Sequence, residues 1–299
     1  MNNIIKAKTF AKAYEKALRL VYENPDFESS PRYQKIRECL NVTLQIEDPT
    51  SNLFTNGHRS LPLKYLKNEL ILYLTGRNDA AGFIKASKFW EKLANKDGTI
   101  NSAYGYLIWN CFNVKSTLGK TTQFGWAFDS LCNDKDSRQA IMHYNKIGHQ
   151  RLHVKDFPCT MNNIFIIRDD KLHMTTLMRS NDLFFGTTFD VPFFTLVQWL
   201  MYIKLVKFYP ELKMGTYTHI ANSLHIYERD FQTVEKMLES EFIPGSMPLP
   251  QVDDIIKNPM IMDMSYGRVF ETSTLDFIAS TNRYHQPDNI KFLKWLNDR

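Results

Sequence analysis

The stretch RSNDLFFGTTFD, Arg179–Asp190, decides how the second half of the chain is read. It opens on four polar residues, passes an apolar run and Gly186, and ends on a carboxylate. Directly behind Asp190 comes VPFFTLVQWLMYIKLVKF, one of the most apolar runs in the sequence. Val191–Phe208 reads as a long buried helix, and Gln198, Lys204 and Lys207 argue against a membrane span. An aspartate there is a good N-cap, because its oxygens accept from the orphan N–H groups of a first turn. On residue chemistry alone, the helix starts after Asp190.

Outward from that point, strands and helices alternate irregularly. Ile4, Ala7, Phe10, Ala11, Tyr14, Leu18 and Val21 predict an amphipathic helix over residues 3–22. ECLNVTLQI places Leu40, Val42, Leu44 and Ile46 on one strand face. LPLKYLKNELILYLTG predicts a helix with Pro62 in its first turn and Gly76 as its stop. NNIFIIRDDKLHMTTLM reads as two strands around an Arg-Asp-Asp-Lys turn. A strand over GTYTHIANSLHIYE and a helix over FQTVEKMLES follow, and the proline-richer segment 241–254 reads as loop. With no βαβ repeat, glycine-rich phosphate loop or internal repeat, the fold class is α+β or mixed α/β in one domain, 1–299.

Composition narrows the function classes. The chain has 299 residues, 43% of them hydrophobic and 13% aromatic, enough for a large core. The net charge of +5 is dispersed, which suits an anionic small substrate and argues against a nucleic-acid surface. Cys39, Cys111, Cys132 and Cys159 lack C-x-x-C spacing, so free thiols in a reducing compartment are expected. The N-terminus lacks the apolar core of a signal peptide, and a cytoplasmic location is expected (host cytoplasm if the source is viral). Neither HExxH nor another compact metal-ligand spacing occurs, so no metal is expected. A zinc cytosine deaminase would need H-x-E and P-C-x-x-C, but Pro158-Cys159 has no second cysteine at that spacing. A Cys-His hydrolase has histidines available but no local signature.

Six motifs in order point further. FPCT carries Cys159 ahead of a β-rich stretch, and RSNDLFFG begins twenty positions later. SLHIY lies downstream, and NDKDSRQ precedes the cysteine. NELILYLTG and KFWEKLANKDGTINSAYGYLIW lie further upstream. Together, over roughly residues 30–240, these resemble the thymidylate synthase superfamily. GTINSAYGYLIW, FIIRDDKL, MRSND and SLHIYERDF are more similar to the bacteriophage deoxycytidylate hydroxymethylases within it. Residues from about 245 to 299 match no family motif and form a divergent C-terminal segment.

The resemblance implies a mixed β-sheet flanked by helices, with a sheet face forming a homodimer interface. It implies transfer of a one-carbon unit from 5,10-methylenetetrahydrofolate to C5 of dCMP, with hydration to 5-hydroxymethyl-dCMP. Cys159 would attack C6, Glu69 would handle protons through water at the base, and Tyr104 would sit near the C5 proton. Arg179 and Ser180 would hold the 5′-phosphate, with Arg138 supplied by the second subunit and Arg32 from a loop before the first strand. His225 and Tyr227 would bond the sugar 3′-hydroxyl. Trp90 and Asp182 would line and orient the folate, and Gly186 would give the backbone room near the ring. The chain departs from the family after Arg138, where Gln139 replaces a usual second arginine.

Asp190 is a second departure, since thymidylate synthases usually end this segment Phe-Asn. An asparagine amide can donate to uracil O4 and accept from N3–H, whereas an aspartate offers acceptors alone. Acceptors suit the amino group of cytosine, and N3 once it is protonated. Residue chemistry leaves water and hydride both open as the final reactant. A dCMP methylase, a dUMP-specific enzyme, a CMP hydroxymethylase and a non-catalytic nucleotide-binding relative are the alternatives.

Overall fold

The computed structural model describes residues 3–110, 114–116, 119–250 and 289–298. Its strands begin with β1 (Ile4–Ala7), β2 (Phe27–Ser29), β3 (Ile36–Ile46), β4 (Leu53–Thr55), β5 (Val114–Ser116) and β6 (Gly119–Thr121). They continue with β7 (Ile141–His143), β8 (Thr160–Arg168), β9 (Lys171–Met178), β10 (Asn181–Asp182), β11 (Lys213–Tyr227) and β12 (Ile243–Gly245). The helices are α1 (Phe10–Glu23), α2 (Leu63–Leu74), α3 (Ala80–Ala86), α4 (Tyr104–Trp109), α5 (Gln123–Asn133), α6 (Thr187–Leu205), α7 (Phe231–Leu238) and α8 (Asn289–Asn297). This is an α+β protein.

Two compact units divide the chain. The first comprises Met1–Leu61, Cys159–Trp199 and Lys213–Met247. The second comprises Pro62–Pro158, Leu200–Leu212 and Pro248–Arg299.

In the first unit the sheet order runs β1-β3-β11-β9-β8, with β2 on β3 and β10 on β11. The sheet is mixed: β11 runs antiparallel to β3 and parallel to β9, while β8 and β9 form a hairpin. The hairpin turn is the expected Arg-Asp-Asp-Lys, with Asp169 and Asp170 at φ 49° and 54°. Two successive left-handed residues are what a tight turn between right-twisted strands requires. Alternation on β9 buries Leu172, Met174, Thr176 and Met178. The long strand β11 buries Gly215, Tyr217, His219 and Ala221 in the same way.

Two expectations shift here. Residues 3–22 are not one helix: Ile4–Ala7 joins the sheet beside β3, and α1 starts at Phe10. Thr9 is the cause, its side chain accepting from Lys12 N and capping the helix there. The single apolar face expected on β3 also breaks. Val42, Leu44 and Ile46 are buried, but Leu40 is 36% exposed and Cys39 lies inside in its place. Asn41 adopts φ 52°, and a left-handed residue within a strand reverses which side chains face inward.

Segment 241–254 was expected to be loop, yet Ile243–Gly245 pairs with β4. Pro244 is accommodated because this two-stranded ladder leaves β12 as an edge. The rings of Tyr14, Phe54 and Phe242 cluster there, the first two stacked at 4.7 Å. Beside them the buried Arg59 donates to Tyr14 Oη (2.8 Å) and Thr188 Oγ1 (3.3 Å) and lies 3.9 Å from the Phe184 ring. A buried cation with these partners ties α1 to the start of α6.

The second unit is largely helical. Pro62 precedes α2, and Gly76 follows it at φ 62°, so both expected boundary residues sit where their backbones are tolerated. A Cβ on Gly105 of α4 would overlap the Tyr73 carbonyl of α2, so only glycine permits that approach. The same carbonyl accepts from Trp109 Nε1 at 3.0 Å. Lys67 donates to Asp298 O at 2.6 Å and faces the Trp295 ring, fastening α8 to α2. Cys111 and residues 251–288 of the expected C-terminal segment lie outside the described residues. Among those described, no helix is long and apolar enough to cross a membrane.

Candidate active site

The β8–β9 hairpin delivers the first pair. Thr160 is paired with Met178, so the residues just outside the ladder, Cys159 and Arg179, are also neighbours. Arg179 N donates to Cys159 O at 2.9 Å. Its Nη2 lies 3.6 Å from Cys159 Sγ. A fixed guanidinium beside a sulfur favours negative charge on it. Cys159 is partly exposed, as a nucleophile must be. Ser180 follows, half-buried.

From there the chain enters β10, which pairs with β11 so that Asp182 faces His225 in register. His225 is buried, and burial lowers its pKa while the Asp182 charge opposes the shift. Its ring lies 5.1 Å from that of Tyr227, edge to face. Asp182 Oδ1 accepts from the N–H groups of Phe184 and Phe185 at 2.9 and 3.1 Å, which turns the chain toward α6. Its Oδ2 lies 3.6 Å from Arg229 Nη2, and that guanidinium covers the Tyr227 ring at 4.1 Å. Arg229 is a neighbour that sequence reading missed.

The N-cap reading of Asp190 is corrected. Helix α6 begins at Thr187, and the N–H groups of Phe189 and Asp190 both bond to Gly186 O at 2.9 Å. The two threonines can occupy the first turn because each hydroxyl has a local acceptor. Thr187 donates to Asn181 Oδ1 (2.6 Å) and Thr188 to Phe185 O (2.9 Å). Asp190 therefore lies inside the first turn, where a carboxylate is favoured by the helix dipole. Its Oδ2 accepts from Asn181 Nδ2 at 2.8 Å. A Cβ on Gly186 would stand 2.8 Å from that Asn181 nitrogen and 3.3 Å from Asp190 Oδ2. Gly186 thus makes room for the Asn181–Asp190 pair. Asn181 was legible as a member of RSND but was given no role.

In the second unit Glu69 is 6% exposed on α2. Tyr65 and Tyr73 donate to its Oε1 at 2.7 and 3.3 Å. Burial raises its pKa to about 7, against the lowering effect of the two phenols. Both tyrosines stand four residues from Glu69, one on each side, so helical spacing could have found them. Trp90 Nε1 donates to Tyr65 Oη at 3.2 Å, and the Tyr73 ring lies 5.7 Å from that of Tyr104. Glu69, Trp90 and Tyr104 are thereby brought together around two tyrosines.

Two predicted residues join neither group. Arg138 is exposed, and its side chain makes no ion pair or hydrogen bond among the described residues. Arg32 is exposed on the short turn Pro31–Tyr33 at φ 53°. No cluster of three potential metal ligands occurs among the described residues.

Comparison with known proteins gives the family. The chain is 28% identical over 243 residues to a putative thymidylate synthase of Methanococcoides burtonii, covering 80% of this chain and 96% of that one. It is 28% identical over 233 residues to the deoxycytidylate 5-hydroxymethyltransferase of Enterobacteria phage T4, covering 73% and 86%. The fold is that of thermostable thymidylate synthase A from Bacillus subtilis, with a TM-score of 0.64 at 19% identity over 79% of this chain and 86% of that one. The model of the family described as thymidylate synthase matches residues 12–289, nearly the whole sequence. The chain belongs to the thymidylate synthase family and is a one-carbon transferase of that family.

Proposed function

We propose that the protein converts dCMP to 5-hydroxymethyl-dCMP as a homodimer in the cytoplasm. Cys159 adds to C6 of the pyrimidine, which makes C5 nucleophilic, and Arg179 steadies the thiolate before attack. The one-carbon unit that C5 takes up would come from methylenetetrahydrofolate, which the family generally uses, and the hydroxyl from water. C5 loses its proton and Cys159 leaves C6, with tetrahydrofolate as the other product. Asp182 and Trp90 would hold the folate: a pterin presents N–H donors and a flat apolar face, which suit a carboxylate and an indole. Arg179, Ser180 and the partner's copy of the exposed Arg138 bind the phosphate, with Arg32 closing over it. His225 and Tyr227 bond the sugar hydroxyl. Glu69, poised near neutrality, passes protons at the base, and Tyr104 stands by the C5 proton.

The observation that carries the choice of base is the Asn181–Asp190 hydrogen bond. It supports a fixed acceptor at Asp190, the partner that a 4-amino pyrimidine needs and a 4-oxo pyrimidine refuses. A dUMP methylase is the second reading, favoured by equal identity to the archaeal putative thymidylate synthase. Turnover of each nucleotide with methylenetetrahydrofolate separates them: dCMP consumption supports the first reading, and dUMP consumption without dCMP consumption contradicts it.

A further inference from the structure

Behind Asp190 runs a line of buried polar side chains that the mechanism does not use. Asn181, Thr187, His219, Tyr217, Thr176 and Asn163 are each at most 3% exposed. Asn181 Nδ2 donates to Asp190 Oδ2 at 2.8 Å. Its Oδ1 faces Thr187 Oγ1 at 2.6 Å and His219 Nε2 at 2.9 Å. His219 Nδ1 lies 3.0 Å from Tyr217 Oη. That phenol lies 3.0 Å from Thr176 Oγ1, which accepts from Asn163 Nδ2 at 2.7 Å.

The proton positions along this line follow from what each atom can do. A carboxylate only accepts, so the NH2 of Asn181 must face Asp190 and its carbonyl must face inward. An amide carbonyl also only accepts, so His219 Nε2 must carry hydrogen and donate to it. Burial lowers the His219 pKa to about 4, so the ring is neutral near pH 7 and Nδ1 keeps its lone pair. Tyr217 has one hydrogen and two acceptors at 3.0 Å, Thr176 Oγ1 and His219 Nδ1. The bare imidazole nitrogen is the stronger acceptor and has no hydrogen of its own to give, so the phenol hydrogen turns from Thr176 toward Nδ1. Burial keeps the phenol protonated by raising its pKa well above the ordinary value. A ring with its hydrogen on Nδ1 instead would set two lone pairs against each other at 2.9 Å, or turn the Asn181 carbonyl toward the carboxylate.

We propose that Asn181 and His219 are positioning residues for base selection: the hydrogen on His219 Nε2 locks the Asn181 amide, which orients Asp190 as an acceptor for the exocyclic amino group of a 4-aminopyrimidine nucleotide. This rests on the reading of Asp190 as the base-contacting residue. Cooperative polarisation in a low-dielectric setting makes such a line stiffer than one isolated hydrogen bond. The space at Gly186 is the complement of this lock, since a methyl group there would displace the amide.

The test compares kcat and KM for dCMP and dUMP in the wild type and in Asn181→Leu, His219→Phe and His219→Gln. The ratio of kcat/KM for dCMP over dUMP should fall roughly 5- to 100-fold in the first two. His219→Gln, which keeps a donor near Nε2, should restore most of it. Long-range 15N–1H correlation spectra of the wild type should show neutral His219 with hydrogen on Nε2, whether or not any variant folds poorly. An unchanged ratio in folded Asn181→Leu and His219→Phe overturns the proposal, and so does hydrogen on Nδ1. A wild type that prefers dUMP instead defeats the base reading, while the spectrum still decides the lock.

Discussion

Arg179 Nη2 lies 3.6 Å from the sulfur of Cys159, at the open end of a hairpin whose last ladder pair is Thr160 and Met178. Strand pairing sets the two backbones side by side, with Arg179 N donating to Cys159 O at 2.9 Å, so the guanidinium has only its own length to reach the sulfur. Cys159→Ser should lower turnover by on the order of 10⁴-fold or more, and it should end covalent trapping by a 5-fluoropyrimidine nucleotide. Mass spectrometry of the intact protein reads the adduct. A surviving adduct would refute thiol attack.

Removing the cation should act differently. Arg179→Ala takes a charge from both the phosphate and the sulfur, so KM for nucleotide should rise and kcat should fall, each by roughly 10-fold or more. Steady-state kinetics separate the two effects. A change in neither constant would remove Arg179 from the site.

Asp190→Asn replaces an acceptor with an amide that can donate. Asn181 still requires an acceptor, so the new carbonyl should turn toward it and the new NH2 toward the base. Preference should move toward dUMP by roughly 5- to 100-fold in kcat/KM, since an unpaired buried polar group costs about 1–3 kcal/mol. Competition between the two nucleotides measures this directly, and an unmoved preference would count against the acceptor argument.

Glu69 ties activity to stability through its proton. In the folded chain it keeps that proton up to about pH 7, whereas the ordinary value is 4.5. Between those values the folded state binds more protons than the unfolded one. Stability from this group therefore falls as pH rises and levels off above about pH 7. Glu69→Gln should gain up to about 3 kcal/mol at pH 8, gain little near pH 4, and lose turnover. Denaturant melts at both pH values test the difference, and an equal gain at both would contradict it.

Gly105→Ala should destabilise the packing of α4 on α2. Its Cβ would overlap the Tyr73 carbonyl, and relief requires α2 and α4 to part. A loss of about 1–3 kcal/mol or more is expected in thermal or denaturant unfolding. Unchanged stability would mean that the two helices are not held at that distance.

The site was legible wherever residue type and local spacing carry the chemistry. FPCT, RSND, LHIY and NELILYL each mark an element edge or a helix face: FPCT ends on the first residue of β8, RSND leads into β10, and LHIY and NELILYL lie on β11 and α2. Less visible were effects that depend on one backbone angle or one distant partner. Asn41 turns β3 over with a single left-handed φ, and nothing in the alternation of ECLNVTLQI announces it. Helix α6 starts four residues before the predicted Val191 because Thr187 finds its partner in Asn181, six positions back. Tyr217 and His219 fall within the predicted strand GTYTHIANSLHIYE, and only the sheet sets them in line behind Asp190.

The central claim is most directly tested by weighing the nucleotide product after incubation with dCMP and methylenetetrahydrofolate. The account predicts dCMP heavier by one CH2O unit, formed by wild type and absent with Cys159→Ser. A product heavier by one CH2 unit, or turnover of dUMP in place of dCMP, would contradict it.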